Sequence, residues 1–221
     1  MSYTIITPKT KFDASLFTFS SSVSTDKYNG KYMSFKYKNK PILIQSPFLI
    51  SRGMRLFDTT YSLLLAIDDE QFISLLSSID NHIVSQLYEQ SNTWFNKTYS
   101  SIETIKNDLY TPLLRKNGTY IPSINFKLKK DTATQQALFS VFNENKELIE
   151  FDTIGSLTSI ITKNCKVKVL FNCSSIWYKN NKYGIMLSLK QIQLSRDMLS
   201  EKPFSSFMFI DEEEEEEKNE L

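Results

Sequence analysis

The sequence has few of the residues on which most enzyme sites depend. Its 221 residues include one histidine, two cysteines and five glycines that stand singly. His82 has no visible partner for acid–base chemistry, and histidine and cysteine are too few here for a four-ligand zinc site. Isolated glycines do not form a phosphate-cradling loop. We therefore expect a protein that is not an enzyme, with no catalytic residue, no metal and no cofactor.

Long apolar runs are also absent. No stretch of about 18 apolar residues predicts a transmembrane helix, and the N-terminus, MSYTIITPKTKF, has no apolar signal core. These features predict an intracellular protein with no membrane partner. The two cysteines, Cys165 and Cys173, share one face of a predicted strand, so we expect free thiols in the core.

The small net charge hides a strong asymmetry. Residues 211–221 hold eight acids and one lysine, a formal charge of −7, whereas the preceding residues hold 25 basic and 17 acidic residues, a charge of +8. A basic body beside an acidic tail indicates a polyanionic partner, or a tail that competes with one.

Hydrophobic periodicity divides the chain into strands and helices. Alternation at Met33, Phe35 and Tyr37 predicts a half-buried strand, and further strand patterns follow in 121–151 and 163–194. Between them, an apolar stripe over 68–95 predicts a long helix. Its start resembles a capping box, with Asp68 three residues before Gln71.

Finer features are also predicted. A shorter helix is expected over 100–109, and another over 152–162 with Asp152 as its cap. In the last strand, the apolar phase changes between Leu189 and Ile192, as a β-bulge would require.

Three predicted strands place lysines opposite their apolar residues, where they would bind phosphates without regard to sequence. Nearby aromatic rings, Tyr32 among them, are expected to stack on splayed bases. The predicted nucleic-acid-binding residues are Lys36, Tyr37, Lys38, Lys127, Lys129, Lys166, Lys168, Trp177, Tyr178, Lys179, Lys182 and Tyr183. Taken singly, each lysine is better explained by an ordinary solvent-facing strand, and each ring beside a turn by capping of the core; the set together with the tail favours binding.

Two segments, ILIQSPFLI and IWYKNNKYGIMLSLKQIQL, together with the acidic tail, carry a resemblance to the single-stranded DNA-binding proteins of large nucleocytoplasmic DNA viruses. The chain is also similar in plan to phage replication proteins of that kind, which end in an acidic tail. The resemblance implies an OB-like barrel in which TIGSLTSII is the helix before the last two strands. It also implies a viral protein of the host cytoplasm or nucleus that binds single-stranded DNA, with RNA as an open alternative. Its work would lie in DNA replication, repair or recombination.

The predicted fold class is α+β: an OB-like β-barrel with a helical insertion and a disordered acidic tail. Residues 1–30 are expected to form an extended N-terminal segment. Residues 31–200 would form the OB-like domain, with its insertion at about 60–115. Residues 201–221 would form the aromatic and acidic tail.

The tail is expected to compete with DNA and to recruit replication or repair proteins. Its predicted partner-binding residues are Phe207, Phe209, Asp211, Glu212, Glu213, Glu214, Glu215, Glu216 and Glu217. The alternative is a virion or adaptor protein whose tail binds basic proteins. A metal-dependent nuclease built on Asp68, Asp69 and Glu70 is a more distant hypothesis, because acids in the first turn of a helix already favour its dipole.

Overall fold

A computed structural model describes residues 2–116 and 118–198 of the chain; the aromatic and acidic tail lies outside the described residues. One α-helix, α1, spans Glu70–Phe95. The strands are β1 (Thr4–Ile6), β2 (Phe17–Phe19), β3 (Ser24–Thr25), β4 (Lys31–Tyr37), β5 (Ile42–Phe57), β6 (Thr60–Ala66), β7 (Tyr110–Thr111), β8 (Ser123–Lys127), β9 (Ser140–Phe142), β10 (Leu148–Ile149), β11 (Lys163–Lys179) and β12 (Lys182–Met198).

These strands form one mixed sheet in the order β10-β9-β12-β11-β5-β6-β8, with β4 paired to the far part of β11. The sheet curls until β8 comes near β12, where Lys129 Nζ lies 3.4 Å from Met186 Sδ. The predicted α+β class and barrel-like body are confirmed.

The long strands β11 and β12 form the spine of the sheet. Asn180 and Asn181 join them in a turn with positive φ angles of 49° and 59°, a conformation that asparagine tolerates better than most residues. Along β11, residues 165, 167, 169, 171 and 173 are buried, while the residues between them are only partly covered. We call the buried side of the sheet the inner face and the opposite side the outer face.

Register shifts bend these strands without inverting their faces. Leu170 and Phe171 of β11 pair with Gln191 and Leu189 of β12, so Lys190 is an extra residue. This bulge lies where the phase change predicted one. A second bulge is in β11, between Cys173 and Ile176. Cys165 and Cys173 are buried free thiols on the inner face, as predicted.

Helix α1 packs on the inner face through an apolar stripe that includes Phe72, Leu76 and Leu87. The predicted helix is confirmed, but its capping residue is not Asp68. The side chain of Asp69 caps the helix by accepting a hydrogen bond of 2.7 Å from Phe72 N–H. Asp68 is exposed, because the helix begins one residue later than the capping-box pattern indicated.

The shorter helices also differ in detail from their predictions. Over Thr104–Leu109 the helix is a π-helix, and over Ile154–Ser159 it is a 3-10 helix. The latter is capped by the Thr153 side chain rather than by Asp152, because Thr153 Oγ1 accepts from Ser156 N–H at 3.2 Å.

The first 30 residues contribute short strands to the sheet. β1 pairs in parallel with β5, and β2 and β3 pair with β4. The rings of Phe17 and Phe19 lie 5.1 and 6.2 Å from that of His82, so this histidine of α1 is half-buried. Among the described residues, no helix has the length and apolarity needed to cross a membrane.

Candidate nucleic-acid interface

A groove of about 450 Å³ opens where β8 approaches β12. Its cations are Arg115, Lys127, Lys129 and Lys179, and its aromatic rings are Tyr32 and Trp177. Thr111, Pro112, Leu113, Asn125, Ile185, Met186 and Leu187 complete the lining. None of the described residues that line the groove is acidic. The groove therefore offers positive charge and stacking surfaces together, the two features that single-stranded nucleic acid requires.

Trp177 forms the floor of this groove because its strand neighbour has no side chain. Trp177 pairs with Gly184 on β12 and with Tyr32 on β4. A Cβ atom added at Gly184 would lie 2.5 Å from Trp177 Cζ2, well inside contact distance. The glycine thus lets the indole lie across β12 on the outer face, which its cross-strand partner Tyr32 shares.

Tyr32 is held in place by the turn that precedes its strand. Its hydroxyl donates to Asp26 Oδ2 at 2.8 Å, and Asp26 Oδ1 accepts from Tyr28 N–H and Gly30 N–H, each at 2.8 Å. The hydrogen bond from Tyr32, followed by those from the turn, lowers the pKa of Asp26. These hydrogen bonds hold the backbone of the turn in one conformation and so fix the position of Tyr28.

Tyr28 extends the aromatic surface beyond the groove. Its side chain is 65% exposed. Lys179 Nζ lies 5.6 Å from the ring centroid and Lys27 Nζ lies 5.0 Å from it, both within cation–π range. Since Lys179 also lines the groove, it links this exposed ring to the Trp177 floor.

The cations on the β8 side of the groove lie close enough to affect one another. Lys129 is half-buried, and burial lowers its pKa, as do the nearby charges of Lys127 and Lys190. A bound phosphate would stabilise the charged form of Lys129, because its negative charge would offset both the repulsion between the lysines and the lost solvation.

A buried carboxyl group supports the opposite wall of the groove. Asp80 of α1 accepts from Tyr110 Oη–H at 2.7 Å and from Leu113 N–H at 3.0 Å. Burial raises the pKa of Asp80 to about 6, although these hydrogen bonds oppose the rise. Asp80 thereby ties the segment 110–115, which carries Arg115, to the helix behind it.

The remaining predicted lysines lie outside the groove. Lys36 lines a depression between β4 and β11, Lys168 lines one farther along β11, and Lys166 lines a third beside Glu144. Lys38 lies at the β4–β5 turn, with a positive φ of 52°. Lys182 donates through Nζ to the carbonyl oxygen of Asp108, so it is held against the π-helix.

Three of the predicted stacking rings face the core instead. Tyr37 is 1% exposed and Tyr183 is 0% exposed, which removes both from the set of base-stacking residues. Tyr183 Oη shares a hydrogen bond of 2.9 Å with Tyr99 Oη. The Tyr178 ring lies 5.4 Å from Phe95 and 4.8 Å from Tyr183, on the helix side of the sheet. Trp177 alone of the four lies in the groove.

Sequence reasoning missed Arg115, Tyr28 and Met186. Arg115 follows a stretch with no strand pattern, and its position depends on the contact between Asp80 and the 110–113 segment. Tyr28 stands between Lys27 and Asn29 in a polar turn, a pattern that does point to an exposed ring. Met186 shares its face with Gly184 and Ser188, so alternation along β12 was the available signal.

Within residues 2–116 and 118–198, no group of three or more histidine, cysteine or acidic side chains is arranged to hold a metal ion. Asp69, one of the three acids considered for a nuclease site, is the capping residue of α1.

Three solved structures of phage proteins are similar to this chain at low identity. The single-stranded DNA-binding protein from bacteriophage Enc34 has a TM-score of 0.46 and 11% identity, covering 90% of this chain and 99% of its own. Its structure in complex with ssDNA gives 0.45 and 11%, covering 80% and 96%. Bacteriophage T7 gp2.5, a single-stranded DNA binding protein, gives 0.45 and 14%, covering 76% and 98%. These neighbours are phage proteins, and none of the three comes from a large nucleocytoplasmic DNA virus.

A comparison with curated proteins gives no match. A family model does match, and it covers residues 53–211, from the last third of β5 through β12 and beyond. That span includes most of the groove, with Arg115, Lys127, Lys129, Trp177 and Lys179. The chain therefore belongs to the family described as a family of unknown function, DUF5871.

Proposed function

We propose that this protein binds single-stranded DNA without sequence preference, in the groove between β8 and β12, and that it does so without catalysis. Such binding would serve DNA replication inside the cell, and repair or recombination where single strands are exposed. The protein would be of viral origin, as the sequence resemblance implies.

The observation that carries the proposal is the composition of the groove. Four cations and two aromatic rings line it, with no acid among its described residues. Cations bind the phosphate backbone of any sequence, and a ring stacks on any base. Trp177 and Tyr32 lie on neighbouring strands, so successive bases have adjacent surfaces on which to stack.

The acidic tail acts on the same groove in this proposal. Its formal charge of −7 is opposite to that of the basic body, so its carboxylates imitate a phosphate backbone and compete for the cations. When DNA displaces the tail, Phe207, Phe209 and the acidic run become available to replication or repair proteins.

Fluorescence anisotropy with labelled oligo-dT tests the proposal directly. The full chain and a version ending at Ile210 are titrated at two salt concentrations, beside duplex DNA and RNA probes of equal length. We expect tighter binding to the single strand than to the duplex, weakening with salt, and tighter binding without the tail. Absence of binding by both proteins at low salt would contradict the proposal and favour an adaptor whose tail binds basic proteins.

Variants that each remove one positive charge, inside or outside the groove, test whether the groove is the binding site. Arg115→Gln and Lys127→Gln each remove one groove cation, and both side chains are exposed, so the fold should be kept. Lys9→Gln is the control, because Lys9 lies beside Glu70 at the start of α1, away from the groove. We expect each groove variant to weaken binding several-fold, whereas the control binds as the unmodified protein does.

A further inference from the structure

A second depression of about 250 Å³ has the chemistry of a nucleic-acid contact and lies outside the groove. It is lined by Gln45, Phe142, Lys146, Lys168, Val169, Leu170, Gln191 and Gln193. Lys168 Nζ lies 4.5 Å from the centroid of the Phe48 ring, which is 39% exposed. The glutamine amides both donate and accept hydrogen bonds, and none of the described lining residues is acidic.

This second depression is on the same face of the same strand as the groove. Lys168 and Asn172 alternate with the buried residues of β11, so they lie on the outer face. The bulge between Cys173 and Ile176 sets three residue steps of β11 against two of β12. This extra residue shifts the alternation of β11 by one position, so Ile176 is buried and Trp177, like Lys168 and Asn172, projects from the outer face. Lys168 pairs with Phe48 on one side and Gln193 on the other, which assembles the depression from three strands.

The surface between the two sites is indented, and its lining mixes polar side chains with the apolar Phe19, Phe35 and Pro41. A depression of about 490 Å³ there is lined by Lys36, Asn172 and Ser174, among others. None of its described lining residues carries a negative charge. Asn172 Oδ1 is buried and has no hydrogen-bond partner among the described residues. A single strand of nucleic acid that leaves the groove thus meets a further cation, Lys36, before it reaches Lys168.

We infer that a single strand longer than the groove continues along the outer face of β11 and makes a second contact at Phe48, Lys168 and the glutamines beside them. This inference rests on the proposed function and adds to it a path and a length. Trp177 and Lys168 are nine residues apart, roughly 30 Å along an extended strand. At about 3.4 Å per nucleotide, the spacing along one strand of a stacked duplex, that distance corresponds to at most about nine nucleotides, since an unstacked strand is more extended.

A ladder of oligo-dT from about 4 to about 16 nucleotides tests the path, since OB folds span this range of site sizes. Affinity should rise with length and level off once both contacts are filled. Phe48→Leu with Lys168→Gln should weaken the longer oligonucleotides by about tenfold and leave the shortest unchanged. Trp177→Ala should weaken the short and the long ones alike.

Lys9→Gln serves as the charge control, and thermal melts show that each variant is folded. If the double variant loses affinity equally at every length, or at none, the second contact is wrong while the groove stands. If the unmodified protein binds no oligonucleotide in the ladder, the proposed function fails and the inference fails with it.

Discussion

Gly184 is the residue on which the position of Trp177 in the groove depends. A Cβ atom there would lie 2.5 Å from Cζ2 and 2.7 Å from Cε2 of the indole, so Gly184→Ala must displace the ring. Base stacking on an aromatic side chain contributes about 1–3 kcal/mol, and we expect Gly184→Ala to weaken oligo-dT binding by about tenfold, measured by anisotropy, with a change in tryptophan fluorescence.

A double-mutant cycle controls this prediction. In a Trp177→Ala background the added methyl group has no indole to displace, so Gly184→Ala should cause little further loss of affinity. If the two losses add in full, Gly184 acts by some route other than the position of Trp177.

The buried carboxyl group of Asp80 should make the protein less stable as the pH rises. Its pKa is raised from 3.8 to about 6, chiefly by burial, so the folded state favours the protonated form. Its contribution to stability is therefore fully present below pH of about 4 and is lost as the pH rises through about 6. A rise of about two pKa units corresponds to about 3 kcal/mol.

Asp80→Asn replaces the titrating group with a neutral one that still offers an acceptor oxygen. Urea denaturation across this pH range should show the unmodified protein losing up to about 3 kcal/mol relative to the variant as pH rises. A difference between the two proteins that stays constant with pH would show that Asp80 does not titrate in the fold.

The buried tyrosines show what residue-level prediction captured and what it missed. Alternation in β4 placed Tyr37 with Met33 and Phe35, opposite Lys36, and the ring is indeed buried. Tyr183 likewise shares the phase of Ile185 and Leu187. The strand period was therefore the better guide to these rings, and nearness in sequence to a lysine was the poorer one.

At the scale of elements, the N-terminal cap of α1 should contribute to stability and not to DNA binding. Asp69 Oδ1 accepts from Phe72 N–H, and loss of such a cap costs about 1 kcal/mol. Asp69→Ala should lower the free energy of unfolding by that amount in urea denaturation and leave oligo-dT affinity unchanged, because α1 packs on the inner face. Asp68→Ala is the matched control and should leave the free energy of unfolding unchanged. If Asp68→Ala is the more destabilising of the two variants, Asp68 caps the helix as the capping-box pattern indicated.

Individual elements were easier to predict than their assembly. The period of two in β11 and the helical stripe of α1 are local patterns, and the structure has both. The groove instead depends on curvature that brings β8 to β12 and on the parallel pairing of β7 with β12. These contacts join residues far apart in sequence, so no local pattern specifies them. Arg115 pairs locally with Ser123 at the start of β8, but neither Arg115 nor Lys127 could be placed beside Trp177 without the long-range contacts.

At the scale of the whole molecule, the salt dependence of binding reports both the groove and the tail. Four groove cations predict a slope of log affinity against log salt of about −3 for a short single strand, at about −0.7 per phosphate contact. Truncation at Ile210 should give this slope, because only DNA then occupies the cations.

The full chain should show a shallower slope than the truncated one. Its tail, with a formal charge of −7, occupies the groove most at low salt, where DNA also binds most tightly, and salt weakens both interactions together. The two affinity curves should therefore be far apart at low salt and converge as salt rises. Curves that coincide at every salt concentration would show that the tail does not compete for these cations, and would leave recruitment of other proteins as its role.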